Sequence, residues 1–216
     1  MIIGIETKMF KLECLLAIVA MLSLVYGINQ GFSQTLNQNQ TIISQLTTYQ
    51  NKELGISFQY PSNWLEMNEE FKKQIPVFTN QVFNGQNLTT NQKIITDTIP
   101  DAILIPIDKN DTIAVTLVSY DFPNFISNEE FNEMTLKMIK AISSNATVIE
   151  NTNTTISNVE ANKGIIKIDE GPQRGLYTSI TFFKGNKVID LQLGPSTNES
   201  QSLLINKVID SIKINS

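Results

Sequence analysis

Histidine is absent from the 216 residues, while cysteine, arginine and tryptophan occur once each, as Cys14, Arg174 and Trp64. Without imidazole there is no proton shuttle for Ser-His-Asp or Cys-His catalysis. Zinc sites of the usual His/Cys kind are excluded as well. Cys14 lies in an N-terminal leader, so the rest of the chain carries no thiol and no disulfide. Any metal would have to be a hard cation held by carboxylate, amide and carbonyl oxygens. Basic residues number 16 against 21 acidic ones, for a net charge of −5, and the lysines are scattered. No basic stripe exists to neutralise a phosphate backbone, so nucleic acid is not an expected partner. What is present, 41% hydrophobic residues over this length, suffices for one domain with a good core.

The leader is the uncharged run "LLAIVAMLSLVYGI" at 15–28, preceded by Lys8 and Lys11. Its size and flanking charge are those of a signal-peptide core, short of the ~20 residues that span a bilayer. Met9 offers an alternative start with a shorter n-region. Small residues mark cleavage candidates at Val25/Gly27 and Gly31/Ser33, of which the one after Ser33 is favoured. Retained as an anchor, the run would begin at Leu12 and have to accommodate Glu13. A lipoprotein reading fits poorly, because Cys14 precedes the apolar core. Residues 1–33 are therefore expected to be a signal peptide or membrane anchor, and the chain to be secreted or membrane-anchored outside the cytoplasm. The Gln/Asn/Thr-rich tract 34–48 is expected to be a flexible tether, and 49–216 a folded domain. Sequons at Asn39, Asn87, Asn110, Asn145, Asn153 and Asn198 are glycosylation candidates on this reading. In a chain so rich in Asn, Ser and Thr, most of that count is what chance supplies.

Within the domain, "GISFQYPSNW" alternates Ile56, Phe58 and Tyr60 with polar residues, the period of a half-buried strand. A short partner strand around Tyr49–Asn51 makes this a hairpin. Pro61 ends the ladder for want of an N–H, and Trp64 is expected to return into the core as its structural anchor. "EMNEEFKKQI" reads as a short helix and "NGQNLTTNQK" as loop. "AILIPI" (102–107) and "TIAVTLVSY" (112–120) are β-rich and joined by "DKND". A calcium loop there fails, lacking the central glycine and holding Ser119 where the closing glutamate belongs. "ISNEEFNEMTLKMIKAISSN" is the best helix: Ser127 and Glu130 form a capping box, Ile126 and Phe131 have staple spacing, and Phe131, Met134, Met138 and Ile142 form an apolar stripe. Strands resume at "TVIEN", "TISNVEA" and "KGIIKID". After a flexible "EGPQRG" come "LYTSITFF" and "KVIDLQL", joined by a Gly185-Asn186 hairpin turn. A second box, Ser196 to Glu199, opens a helix through Leu203, Leu204 and Val208, followed by a last strand at 211–214. Few helices, many hairpins and no β-α alternation give an α+β class: a mainly antiparallel sheet covered by helices.

The stretches "GISFQYPSNW", "VEANKGIIKID" and "GLYTSITFFKGNKVIDLQL…INKVIDSIKI" together resemble the PsbP family. Its named member is the extrinsic photosystem II protein, and its relatives include exported bacterial and archaeal domains and a Ran-binding nuclear-transport factor. The resemblance covers about 48–214, and the leader, tether and Asn-rich composition look like the secreted archaeal, non-photosynthetic branch. It implies an α-β-α sandwich around an antiparallel sheet and an accessory or docking role rather than an enzyme. It also leaves calcium as a cofactor candidate, by resemblance alone. Family members that bind metal do so partly through histidine; with none here, no metal residue is carried over.

The expected function is thus a non-catalytic accessory or binding module at the outer face of the cytoplasmic membrane, its partner a protein or cell-envelope component. Segments 66–99 and 169–176, as loop-rich insertions, are the expected contact surfaces. The alternatives are a carboxylate-dependent, glycosidase-like hydrolase, with Glu66, Glu69, Asp101 and Glu170 as candidate acids, or a small-ligand or cation-binding protein. No catalytic, cofactor-binding or metal residue is assigned.

Overall fold

The computed structural model describes residues 45–107, 113–142, 145–169 and 174–215. The leader, nearly all of the tether, Asn39, the "DKND" turn with Asn110, and Glu170 lie outside them. In chain order the described elements are β1 (Leu46–Asn51), β2 (Ile56–Pro61), β3 (Trp64–Glu66), α1 (Glu69–Val82), α2 (Thr90–Asp97), β4 (Ala102–Pro106) and β5 (Ala114–Asp121). They continue with α3 (Asn128–Ile142), β6 (Ala146–Ile156), β7 (Val159–Ile168), β8 (Gly175–Lys184), β9 (Lys187–Ser196), α4 (Glu199–Asp210) and β10 (Lys213–Ile214).

The expected hairpin forms, with Tyr49 opposite Phe58 and their ring centroids 5.1 Å apart. β1 starts at Leu46, so the last residues of the tract read as a tether are strand. β10 returns from the C-terminus to pair with β2, giving a three-stranded sheet β1-β2-β10. Pro61 closes the ladder opposite Leu46, and the chain turns at Ser62-Asn63 into a different sheet. The expectation of a single sheet is therefore corrected, and a fourth helix joins the three expected. Trp64 opens a separate seven-stranded antiparallel sheet, β3-β4-β5-β9-β8-β7-β6, and the described residues form four helices. The α+β class stands: helices flank an antiparallel sheet.

The two faces of the large sheet are covered differently. On one, Val115, Leu117, Ile180, Phe182, Ile189 and Leu191 pack against α4 and the small sheet, with Ile56, Phe58 and Trp64 in the same cluster. Trp64 is 6% exposed, as expected of the anchor. On the other, Phe71 and Ile75 of α1 pack on Ile103, Ile105 and Ala114. There α2 and α3 also bring Ile95, Phe131 and Met138 onto Val118, Tyr120 and Val188.

Four local expectations are corrected. The short helix expected over 66–75 runs on to Val82 as α1, straight through Pro76. "NGQNLTTNQK" is loop only in its first half. Thr89 and Gln92 exchange the reciprocal bonds of a capping box and start α2, so 66–99 is two helices rather than a loop-rich insertion. "TISNVEA" is not one strand: Ser157 (φ 51°) and Asn158 (φ 66°) make a tight turn joining two long strands, without the glycine that usually marks such turns. At α4 the cap is Asn198, whose side chain accepts from the Gln201 N–H, and not Ser196; Leu203 is 55% exposed, so the buried stripe is Gln201, Ile205 and Val208. The Ser127–Glu130 box is present as expected. So is the turn at Gly185, whose φ of 62° suits glycine.

Candidate functional site

β9 alternates Val188, Asp190 and Gln192 on one face with Ile189, Leu191 and Leu193 on the other. Such a pattern ordinarily turns its polar side to water. Here that side lies beneath α3, and Asp190 is only 2% exposed. Cross-strand register sets its partners: Thr181 lies opposite Asp190, and Ser179 opposite Gln192. The Ser179 Oγ (2.5 Å) and Thr181 Oγ1 (3.0 Å) both donate to Asp190 Oδ1, and Gln192 Nε2 donates to Oδ2 at 2.8 Å. Burial pushes the Asp190 carboxyl above the usual range, with the bonds from Ser179, Gln192 and Thr181 acting against it. Tyr120, on neighbouring β5, is hydrogen-bonded to Gln192. Its hydroxyl is pushed well up by burial and then by the nearby charges of Asp190 and Asp101. The result is a polar stripe, Tyr120–Gln192–Asp190–Ser179/Thr181, across a sheet face that is otherwise core.

Above the stripe is a cavity of about 160 Å³. α4 packs closely on β9 and β2, whereas α3 makes no comparably close backbone approach to the strands under it. α3 supplies the roof with Phe131, Thr135, Leu136 and Ile139, while β6 and β7 give Val148, Gly164, Ile166 and Ile168. The floor is Tyr177 and Ser179 of β8 with Asp190 and Gln192 of β9. Gly164 leaves the space open, since a Cβ there would meet nothing within 4 Å. At the rim Asn132 donates to Asn151 Oδ1 (3.3 Å), and Lys163 pairs with Glu150 (3.3 Å). Thr135 Oγ1 is buried without a hydrogen-bond partner among the described residues. This is mostly hydrocarbon surface around one buried carboxylate, the make-up of a small-ligand site.

No family model matches the chain, and no curated protein matches it in sequence. Its structure is similar to the solution structure of cyanobacterial PsbP (CyanoP) from Synechocystis sp. PCC 6803. The TM-score is 0.53 at 10% identity, over 83% of this chain and 98% of that one. The domain has the PsbP-like fold. A crystal structure from Bacteroides thetaiotaomicron aligns over 75% of this chain and 46% of that one, at 13% identity and a TM-score of 0.32, below the level of a shared fold.

Of the four candidate acids, Glu66, Glu69 and Asp101 are among the described residues and Glu170 is not. Glu66 and Glu69 are exposed, and both lie with Asp101 close enough to the Tyr49 hydroxyl to raise its pKa, after burial as the main cause. Glu69 Oε1 is taken by Lys72 Nζ at 2.5 Å, and that ammonium, on a residue only 5% exposed, also donates to the Asp101 carbonyl at 2.9 Å. Asp101 is half-buried, raised by burial against bonds from Ser119 and the charges of Lys187 and Lys72. These contacts tie α1 to the start of β4. Of the sequons, Asn87, Asn145, Asn153 and Asn198 are exposed, in a loop, before β6, within β6 and at the α4 cap. Among the described residues no group of three or more Asp, Glu or Cys is placed to hold a metal ion, and no helix is long and apolar enough to cross a membrane. Sequence reasoning assigned nothing to Asp190, Ser179, Gln192 or Thr135. The one available signal was Gly164, an isolated glycine inside a strand, which marks a bulge or a close approach.

Proposed function

We propose that this protein is an exported accessory module that acts by binding rather than by turning over a substrate. It works at the outer face of the cytoplasmic membrane, with a protein or cell-envelope component as its partner. The observation that carries this reading is the cavity under α3. Its buried acid, Asp190, is engaged by donors from Ser179, Thr181 and Gln192, and the other carboxylate of the lining, Glu150, is paired with Lys163 at the rim. The PsbP-like fold and the charge-flanked leader support the same reading. In segment 66–99, Val77 and Ile99 present exposed apolar surface, with Leu65 just before them.

Crosslinking and mass spectrometry on intact cells test it. The expected outcome is a reproducible crosslinked neighbour in the membrane fraction, together with glycopeptides at exposed sequons. Recovery of the chain in the cytosolic fraction would overturn the proposal. So would a glycosidase activity abolished by Asp101→Asn or Glu66→Gln.

A further inference from the structure

Asp190 is a buried carboxyl without a cationic partner among the described residues. Among the described residues no lysine or arginine forms an ion pair with it, and its neighbours are neutral donors. Burying a carboxylate is expensive unless a cation compensates it, and neutral hydrogen bonds recover only part of the cost. A fold gains nothing from such a group in a purely structural core, where an apolar residue would pack as well. Asp190 also lines the cavity. Its Oδ2 accepts a single bond, from Gln192, which leaves acceptor capacity for another donor. On the roof Thr135 Oγ1 is a second buried oxygen awaiting a donor.

The volume sets the size of the occupant. At about 160 Å³ the cavity matches the ~150 Å³ hydrocarbon-lined cavity that admits benzene. We propose that the cavity under α3 binds a small organic cation, a primary ammonium on an apolar body of about eight non-hydrogen atoms. The ammonium sits against Asp190, with Thr135 Oγ1 within reach as a second acceptor. The apolar body lies on Leu136, Ile139, Ile166 and Ile168 above Gly164. Other chemistries fit worse. A hard metal ion needs six or more oxygen ligands, and besides Asp190 the only other carboxylate of these walls is Glu150, already paired with Lys163. A neutral apolar molecule leaves the charge unmatched, and an anion meets Asp190 with like charge. The two readings share the cavity but not their tests: a purified chain that binds an amine says nothing about its protein partner.

Calorimetric titration of the purified full-length chain at neutral pH, with benzylamine, benzyl alcohol and calcium chloride in turn, tests the proposal. Benzylamine should bind saturably and at least tenfold more tightly than benzyl alcohol, and calcium should not compete with it. Asp190→Asn should lower benzylamine affinity at least tenfold. Gly164→Val, which fills the cavity without touching the carboxylate, should abolish binding while the chain stays folded. This second variant decides the matter if Asp190→Asn folds poorly. Equal affinity for amine and alcohol would overturn the proposal, as would binding indifferent to Gly164→Val, calcium displacing the amine, or no saturable amine binding.

Discussion

Filling the cavity from Gly164 should stabilise the protein, the reverse of what a bulky residue does at most core glycines. Gly164 sits in mid-strand on β7, opposite Asn151 of β6 and Ser179 of β8, with no positive φ to hold it as glycine. A Cβ there would have open space for 4 Å. Two contributions follow for Gly164→Val. Restricting the unfolded chain gives about 0.4–1 kcal/mol, and β-branching suits a strand. Full burial of a valine side chain gives about 1.5–3 kcal/mol, and the cavity's open side leaves roughly half of that. The net expectation is about 1–3 kcal/mol of added stability, which for a domain of this size is a Tm rise of about 2–4 °C per kcal/mol. Gly164→Ala should collect the first contribution and one methyl, about 1 kcal/mol. Urea unfolding followed by circular dichroism reads both variants, with an unchanged m-value as the check that only stability moved. A loss of stability in Gly164→Val would mean that no space exists over β7. The description of the cavity would then be wrong.

Trp64→Ala should cost about 3–5 kcal/mol, because the indole is buried in the apolar cluster under α4; a thermal melt that does not shift would refute its role as an anchor. Asp190 has a folded-state pKa raised by burial, so its contribution to stability is fully present below the unfolded carboxylate value and is lost as pH rises through the folded one. The stability of Asp190→Asn relative to the native chain should therefore climb as pH rises from about 4 and then level off. Paired urea melts across pH measure it, and a flat difference would count against the raised carboxyl. Asn198→Ala removes the α4 cap and should cost about 1 kcal/mol by the same melts. Ser196→Ala should cost less than that, since Ser196 does not cap the helix.

Much of the fold was legible because its elements announce themselves locally. The Ile56/Phe58 alternation, the Ser127–Glu130 box, the Gly185 turn and the Trp64 anchor each need only a few neighbouring residues to be read. The errors came where one residue type carries two meanings. A proline usually breaks a helix yet Pro76 sits inside α1, and Thr89 and Gln92 look like loop composition yet make a reciprocal cap. At 157–158, Ser and Asn adopt the left-handed backbone that glycine usually supplies. The cavity was hidden for a deeper reason. "KVIDLQL" specifies alternation, and alternation says which residues share a face, not what lies over that face. Whether Asp190 meets water or a helix depends on where α3 comes to rest, and that is set by contacts such as Phe131 on Phe183, 6.4 Å between ring centroids and far apart in sequence.

That placement divides the work between the two faces of the large sheet. On the α4 side the aliphatic and aromatic residues of β5, β8 and β9 form one continuous cluster with β2 and Trp64, and hydrophobic burial there is uninterrupted. On the α3 side the apolar contacts break into separate clusters, and the polar stripe runs between them. A core built for stability alone has no use for that break, because each buried polar group must be satisfied merely to reach neutrality. The break is affordable only because the opposite face does not share it. The strands of one sheet thus alternate between two tasks residue by residue: Ile189 and Leu191 hold the domain together, and Asp190 between them holds open a buried carboxyl that no cation among the described residues pairs.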